Sequence, residues 1–161
     1  MKDVIRVGMA DYKICRPPQV ISTLGLGSCL GVVLYDEKTK LCGLAHVMLP
    51  DSSRMVRTPN RMKFVDTCLQ DMYDELLWLD VNPGRLVAKI AGGAKMFSYK
   101  TDNDMLNIGE QNVRAVKEKL EQWKIMIIAE DTGLDYSRTI KFDPKTGMLT
   151  IRAVGIGEYV I

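Results

Sequence analysis

The groups in this 161-residue chain best suited to nucleophilic and proton-transfer chemistry are four cysteines, Cys15, Cys29, Cys42 and Cys68, and one histidine, His46. A cysteine hydrolase needs a thiol, an imidazole near enough to take its proton and return it to a leaving group, and a third group that fixes the imidazole. A free thiol, with a pKa of about 8.5, is only slightly ionised at neutral pH, and an imidazole partner raises the ionised fraction. Because His46 is the sole histidine, any such mechanism here runs through it. The same count argues against a zinc centre, since no two cysteines form a C-x-x-C pair and one histidine is too few for the usual ligand sets.

The elements that must position these groups select one thiol. Cys29 to Tyr35 and Leu41 to Leu49 read as strands, and the polar Asp36 to Lys40 between them reads as a turn, so the two form a β-hairpin. A turn of two or four residues sets Cys29 and His46 on the same side of the hairpin, opposite each other or one diagonal step apart. Such neighbours lie about 5–8 Å apart. Cys42 shares that side but sits four residues from His46, about 13 Å along the strand. No local argument brings Cys15 or Cys68 near the ring, and an odd loop or a bulge would undo the parity.

Before Cys29 runs Gly25-Leu26-Gly27-Ser28, where glycines let the main chain turn sharply. The amides of Gly27, Ser28 and Cys29 are candidates for an oxyanion hole. Thr23 offers a hydroxyl or a carbonyl to orient the imidazole. Spacing alone leaves a second reading open, in which Cys29 is a small buried hydrophobe and His46 is structural. A phosphate cradle fits less well, because the stretch lacks a third glycine and leads into a strand.

The remaining chain supplies strands and two principal helices. Val4 to Ile14 alternates as one strand, stopped by Pro17-Pro18, and Val20 to Leu24 follows. Met62, Val65, Leu69, Met72 and Leu76 recur at helical steps, with Thr58-Pro59 as cap and first turn. Asn82-Pro83-Gly84 is a turn before a strand from Leu86 to Ala91. A second helix opens at Asn107 with Glu110 completing a capping box and a stripe of Val113, Val116, Leu120 and Trp123. Ile125 to Ala129 reads as a central strand, and Thr139 to Phe142 pairs with Met148 to Ala153. The pattern predicts one domain spanning residues 1–161, a mixed α/β sandwich with much antiparallel pairing, not a doubly wound nucleotide fold.

Composition sets limits on partners. Apolar residues make up 47% and charged residues 26%, the balance of a globular chain able to build its own core. A net charge of +2 is too small to drive nucleic-acid or membrane binding. With no secretory leader and no apolar run near the roughly 18 residues of a membrane span, a cytoplasmic location with free thiols is expected.

Thr23-Leu24-Gly25-Leu26-Gly27-Ser28-Cys29 and Gly43-Leu44-Ala45-His46-Val47-Met48-Leu49-Pro50 strongly resemble the CheD family of chemoreceptor glutamine deamidases. The likeness continues through Gly92-Gly93-Ala94-Lys95-Met96-Phe97, Ile108-Gly109-Glu110-Gln111-Asn112 and Glu130-Asp131-Thr132-Gly133. The resemblance implies a three-layer α/β/α sandwich with mixed, largely antiparallel sheets, similar to the catalytic domains of deamidating toxins. It implies Cys29 as nucleophile, His46 as base and Thr23 as the residue that orients the ring. The implied reaction converts selected glutamines of receptor helices to glutamate through a Cys29 thioester, with no cofactor or metal and a secondary methylesterase activity. Implied partners are methyl-accepting chemoreceptors and the phosphatase CheC; an alternative role is that of an adaptor that mainly binds and stimulates CheC. The chain departs from the family pattern at Gln111, where an arginine is usual, and at Leu134 and Ser137, where glycines are usual. Iodoacetamide near neutral pH is expected to label Cys29 faster than Cys15, Cys42 and Cys68, and His46→Ala to slow that labelling; mass mapping of the alkylated peptides checks both.

Overall fold

The computed structural model describes residues 3–53, 60–96 and 107–161, so Thr58-Pro59 and Phe97 lie outside the described residues. The described strands are β1 (Val4–Val7), β2 (Asp11–Cys15), β3 (Val20–Leu26), β4 (Leu30–Asp36), β5 (Leu41–Val47), β6 (Val87–Gly92), β7 (Met126–Thr132), β8 (Arg138–Asp143), β9 (Met148–Ala153) and β10 (Gly157–Val160). The helices are α1 (Val65–Trp78) and α2 (Ile108–Gln122). A first sheet runs β1-β3-β8-β9-β10 and a second β2-β5-β4-β6-β7. Each sheet holds one parallel pair, β1 with β3 and β6 with β7, among antiparallel neighbours. The expected α/β sandwich with mixed, largely antiparallel sheets is therefore the fold.

Among the described residues its layers run helices, second sheet, first sheet. One face of the second sheet presents Val32, Leu34, Ala45 and Val47 to Leu69 and Met72 of α1 and to Val116 and Leu120 of α2. The opposite face presents Val33, Tyr35 and Leu44 to Ile21, Ile140, Phe142 and Ile151 of the first sheet. Strands β4 and β5 are thus buried on both faces, which is why they read as unbroken apolar runs. The sheets approach closely at Gly31, where an added Cβ would lie 2.7 Å from Ile140 Cδ1 and 3.0 Å from Leu26 Cδ1.

The hairpin of β4 and β5 has the expected even turn: Asp36 faces Leu41 and four residues lie between them. Asp36 holds that turn by accepting from Lys38 N and Thr39 Oγ1, and it pairs with Arg85 at 2.9 Å across from the Asn82 turn. Three other expectations need correction. Residues 4–14 form two strands in different sheets, because the chain leaves the first sheet after Val7 and turns at Ala10, which has φ of 55°. The apolar Ile125 to Ala129 stretch enters β7, an edge strand whose Met126 and Ile128 are exposed, and not a central one. Helix α2 starts after Asn107, but Asn107 makes no side-chain capping bond, so there is no capping box.

The chain crosses between sheets three times at one end of the sandwich: at residues 8–10, 27–29 and 133–137. Gly92 sits where the second crossing meets β6, with φ of 115° and with a virtual Cβ 2.4 Å from the Cys29 carbonyl oxygen. Gly155 also has positive φ, 79°, but open space around it. Gly155→Ala is therefore expected to cost about 1–2 kcal/mol, the penalty for a side chain in left-handed backbone. Gly92→Ala adds a backbone collision and should cost more than about 3 kcal/mol. Urea unfolding of the two variants measures the difference.

Candidate active site at the sheet crossing

The hairpin register sets His46 opposite Gly31, so Cys29, two residues before Gly31, is one diagonal step from the histidine. Cys29 packs against the inter-sheet core, and Leu44 and Cys42, which share a strand face with His46, line that core too. Thr23 comes from the first sheet. Its inward side follows that of Ile21, and a bulge between Thr23 and Leu26 then redirects the chain toward Gly27. Thr23 and His46 thus approach across the inter-sheet layer, with Cys29 on the segment that joins the sheets.

Hydrogen bonding assigns the imidazole tautomer. Thr23 Oγ1 donates to the Val7 carbonyl at 2.8 Å and lies 2.7 Å from His46 Nδ1. A hydroxyl has one proton, and the carbonyl can only accept it. Nδ1 must therefore carry a hydrogen and donate to Oγ1, which leaves the lone pair on Nε2. That Nε2 is buried and has no hydrogen-bond partner among the described residues. The ring is buried, and burial lowers its pKa, so it stays neutral and able to accept a proton. Cys29 is half-buried; burial pushes its thiol up, while its own backbone N–H favours the ionised sulfur. Thiol and imidazole are both neutral at rest, and no Sγ–Nε2 hydrogen bond is formed.

The segment carrying Cys29 is anchored through its carbonyls. Ala94 N donates to Gly27 O at 2.9 Å, Asn112 Nδ2 to Ser28 O at 2.9 Å, and Gly93 N to Cys29 O at 2.9 Å. The Ser28 N–H meets no acceptor among the described residues, and the Cys29 N–H faces its own sulfur. The Gly27 N–H donates to Gly25 O at 3.1 Å within the turn. Of the three amides proposed from sequence, that of Gly27 is therefore already engaged.

Asn112 is a site-forming residue that sequence reasoning touched only as part of a motif. It is fully buried, and Nδ2 also donates to Met48 O at 3.0 Å, two residues beyond His46. Gly109, one turn earlier, lets α2 approach: a Cβ there would stand 2.4 Å from Ala94 O. The i, i+3 spacing of a glycine and an asparagine opening a helix was the available signal. On the other flank, buried Arg138 pairs with Asp131 at 3.0 Å and donates to Gly133 O, tying the third crossing to β7. Leu134, where the family pattern has glycine, still has φ of 60°, so the loop keeps its left-handed turn despite the side chain.

The other cysteines are buried. Cys15 and Cys42 face each other across β2 and β5 with sulfurs 3.6 Å apart, and burial raises Cys68 to about 12. Among the described residues no cluster of histidine, cysteine and carboxylate side chains offers a metal site, and no helix is long and apolar enough to cross a membrane.

Comparison with known proteins adds family and fold. The family model described as CheD chemotactic sensory transduction matches residues 48–153. The chain is 52% identical over 155 residues to the probable chemoreceptor glutamine deamidase CheD of Lachnoclostridium phytofermentans, covering 96% of both chains. It is 50% identical over 159 residues to the chemoreceptor glutamine deamidase CheD of Bacillus subtilis, covering 98% of this chain and 96% of that one. Among solved structures it is similar to Neisseria meningitidis protein NMB0706, with a TM-score of 0.53 and 9% identity over 83% of this chain and 64% of that one. The hypothetical protein YfiH of Bacillus licheniformis gives 0.50 and 16% identity over 78% and 51%. These two likenesses concern the fold alone.

The buried neutral ring has a thermodynamic consequence. A histidine whose folded pKa lies below its unfolded value of about 6.5 resists protonation in the folded chain only, so stability is lost as pH falls from that value toward the folded one. Unfolding free energy is expected to begin dropping as pH falls below the unfolded value of about 6.5, before the carboxylates, at about 4, take up protons. His46→Gln should flatten that slope, since no other histidine is present. Urea titrations at stepped pH measure it.

Proposed function

The chain belongs to the CheD family, and from that premise we propose that it is a cytoplasmic cysteine-dependent deamidase that converts glutamine side chains of chemoreceptors to glutamate. The observation that carries this reading is the buried His46 ring, with Nδ1 committed to Thr23 and an unpartnered Nε2, on the strand face it shares with Cys29.

In the first half-reaction Nε2 takes the Cys29 proton as the sulfur attacks the glutamine side-chain carbonyl carbon. The carbonyl oxygen becomes an oxyanion and is met by the Ser28 and Cys29 N–H groups. Thr23 Oγ1 accepts from Nδ1 throughout, so it holds the ring and stabilises the imidazolium. Nε2–H then protonates the departing nitrogen, the C–N bond breaks, and ammonia leaves a thioester on Cys29. In the second half Nε2 takes a proton from water, hydroxide adds to the thioester carbon, and the thiolate departs to be reprotonated. The product is glutamate. Since the resting sulfur and Nε2 are not bonded, they must close on each other as substrate arrives; a diagonal pair about 5–8 Å apart needs only side-chain rotation for this.

The same thioester route would cleave receptor methyl esters, with methanol leaving in place of ammonia. Binding of CheC, the partner implied by the resemblance, belongs to this reading as a surface property separable from catalysis.

Ammonia release from receptor cytoplasmic fragments tests the proposal. Cys29→Ala should abolish release, and His46→Ala should reduce it at least about a hundredfold, the usual worth of a general base. Thr23→Val should lower kcat about ten- to a hundredfold, matching one lost hydrogen bond to a charged group. CheC affinity should be unchanged in Cys29→Ala. Equal ammonia release from the wild type and Cys29→Ala would remove the deamidase reading and leave the adaptor role.

A further inference from the structure

Asn112 stands apart from the groups that react, yet its two amide hydrogens end on two segments that must be held together. One meets the carbonyl of Ser28, 84 residues away in sequence, and the other that of Met48, 64 residues away. Both bonds are shielded from water, because the side chain is wholly buried. The carbonyl and N–H of a trans peptide unit point in opposite directions. The Ser28 carbonyl and the Cys29 N–H belong to one such unit. Whatever holds that carbonyl toward α2 therefore turns the Cys29 N–H away from α2, toward the half-buried side where the sulfur lies. The preceding unit is treated alike: Ala94 N holds the Gly27 carbonyl and so aims the Ser28 N–H. That anchor is main chain and cannot be deleted by substitution, whereas the Asn112 anchor is a side chain.

We infer that Asn112 is a positioning residue that aims the Cys29 N–H at the developing oxyanion by holding the Ser28 carbonyl, and that ties this peptide to the His46 strand through Met48. The inference rests on the deamidase reading for its chemistry. Asparagine fits because one planar NH2 group reaches two carbonyls at once. Aspartate has the same shape but no donors and would set acceptor against acceptor. Gly109 belongs to the same device, since α2 could not bring Asn112 within reach if a side chain stood between it and Ala94.

The test separates aiming from folding and from thiol activation. Steady-state ammonia release is measured for wild type, Asn112→Asp, Asn112→Ala and Val116→Ala. Val116 is buried one turn further along α2 in the helix-side apolar cluster, which contains neither Cys29, His46 nor Thr23, so it reports what a loosened helix alone does. Iodoacetamide alkylation of Cys29 is measured alongside; it displaces iodide without forming an oxyanion and so does not need the aimed N–H. The expected result is a kcat at least tenfold lower in both Asn112 variants, with KM and Cys29 alkylation within about twofold of wild type. Val116→Ala should keep its kcat even if it loses as much thermal stability. The inference is overturned if the Asn112 variants keep kcat, if Val116→Ala loses as much, or if alkylation falls in step with turnover. Should Asn112→Asp fail to fold, Asn112→Ala carries the comparison. Should the wild type release no Cys29-dependent ammonia, the deamidase reading fails separately. The positioning claim is then decided by the backbone amide resonance of Cys29, which Asn112→Ala must shift and Val116→Ala must not.

Discussion

Thr23 has one hydroxyl proton, and the Val7 carbonyl takes it. From this small constraint follows the state of the site. The imidazole of His46 must donate through Nδ1, its Nε2 must be the basic atom, and the two sheets must stay in register at this level for the contact to exist. It is a hydrogen bond between layers, made by a strand of the first sheet and a strand of the second, in a core that elsewhere joins them through apolar side chains. An unpartnered buried nitrogen costs about 1–3 kcal/mol. Native folds seldom leave such an atom without a reason, and a waiting base is one.

The end of the sandwich where the site lies is also where the chain changes sheets. A segment that leaves one sheet and enters another cannot be paired on both sides by strands, so its backbone groups need other partners. Here the carbonyls of residues 27–29 find donors in Gly93, Ala94 and Asn112. Their anchoring turns the Ser28 and Cys29 amides the other way. The crossing segment thereby presents outward N–H groups beside the Cys29 thiol, without a helix N-terminus to supply them. Gly92 and Gly109 permit the close approach that makes these bonds short.

Much of this was legible in the sequence where the physics is local. The even turn after Asp36 and the strict alternation of strands were enough to put Cys29 and His46 on one face, and the register of β4 and β5 agrees. The doubly buried strands announced themselves as unbroken apolar runs. What escaped depends on contacts distant in sequence. Alternation from Val4 to Ile14 says nothing about which sheet each half joins, so the break at Ala10 was invisible. The apolar run into β7 looks central because hydrophobicity does not report that one side of a strand lacks a neighbour. The layer order followed from the resemblance and not from residues, because no pattern along the chain says which sheet faces the helices. The bonds of Asn112 span 64 and 84 residues, and no pattern along the chain encodes them.

Chemistry and substrate rest on different supports. Geometry argues for acyl transfer by a thiol and an imidazole, but nothing in it chooses glutamine over another acyl group; that choice comes with the family. The resting proton affinities sharpen the chemical half. Burial raises the thiol of Cys29 and lowers the ring of His46, so one cause acts in opposite senses on the two partners. Proton transfer from sulfur to nitrogen is uphill before substrate binds. A preformed thiolate would be open to oxidation and to stray electrophiles, whereas a neutral thiol is not. Under the proposed mechanism the transfer becomes favourable only when the negative charge moves onto an oxygen met by aimed N–H groups and the standing bond from Nδ1 to Thr23 strengthens as the ring gains charge. On this view the site stores its reactivity in fixed dipoles rather than in an ionised sulfur, which is why the orientation of one peptide plane matters as well as the identity of the nucleophile.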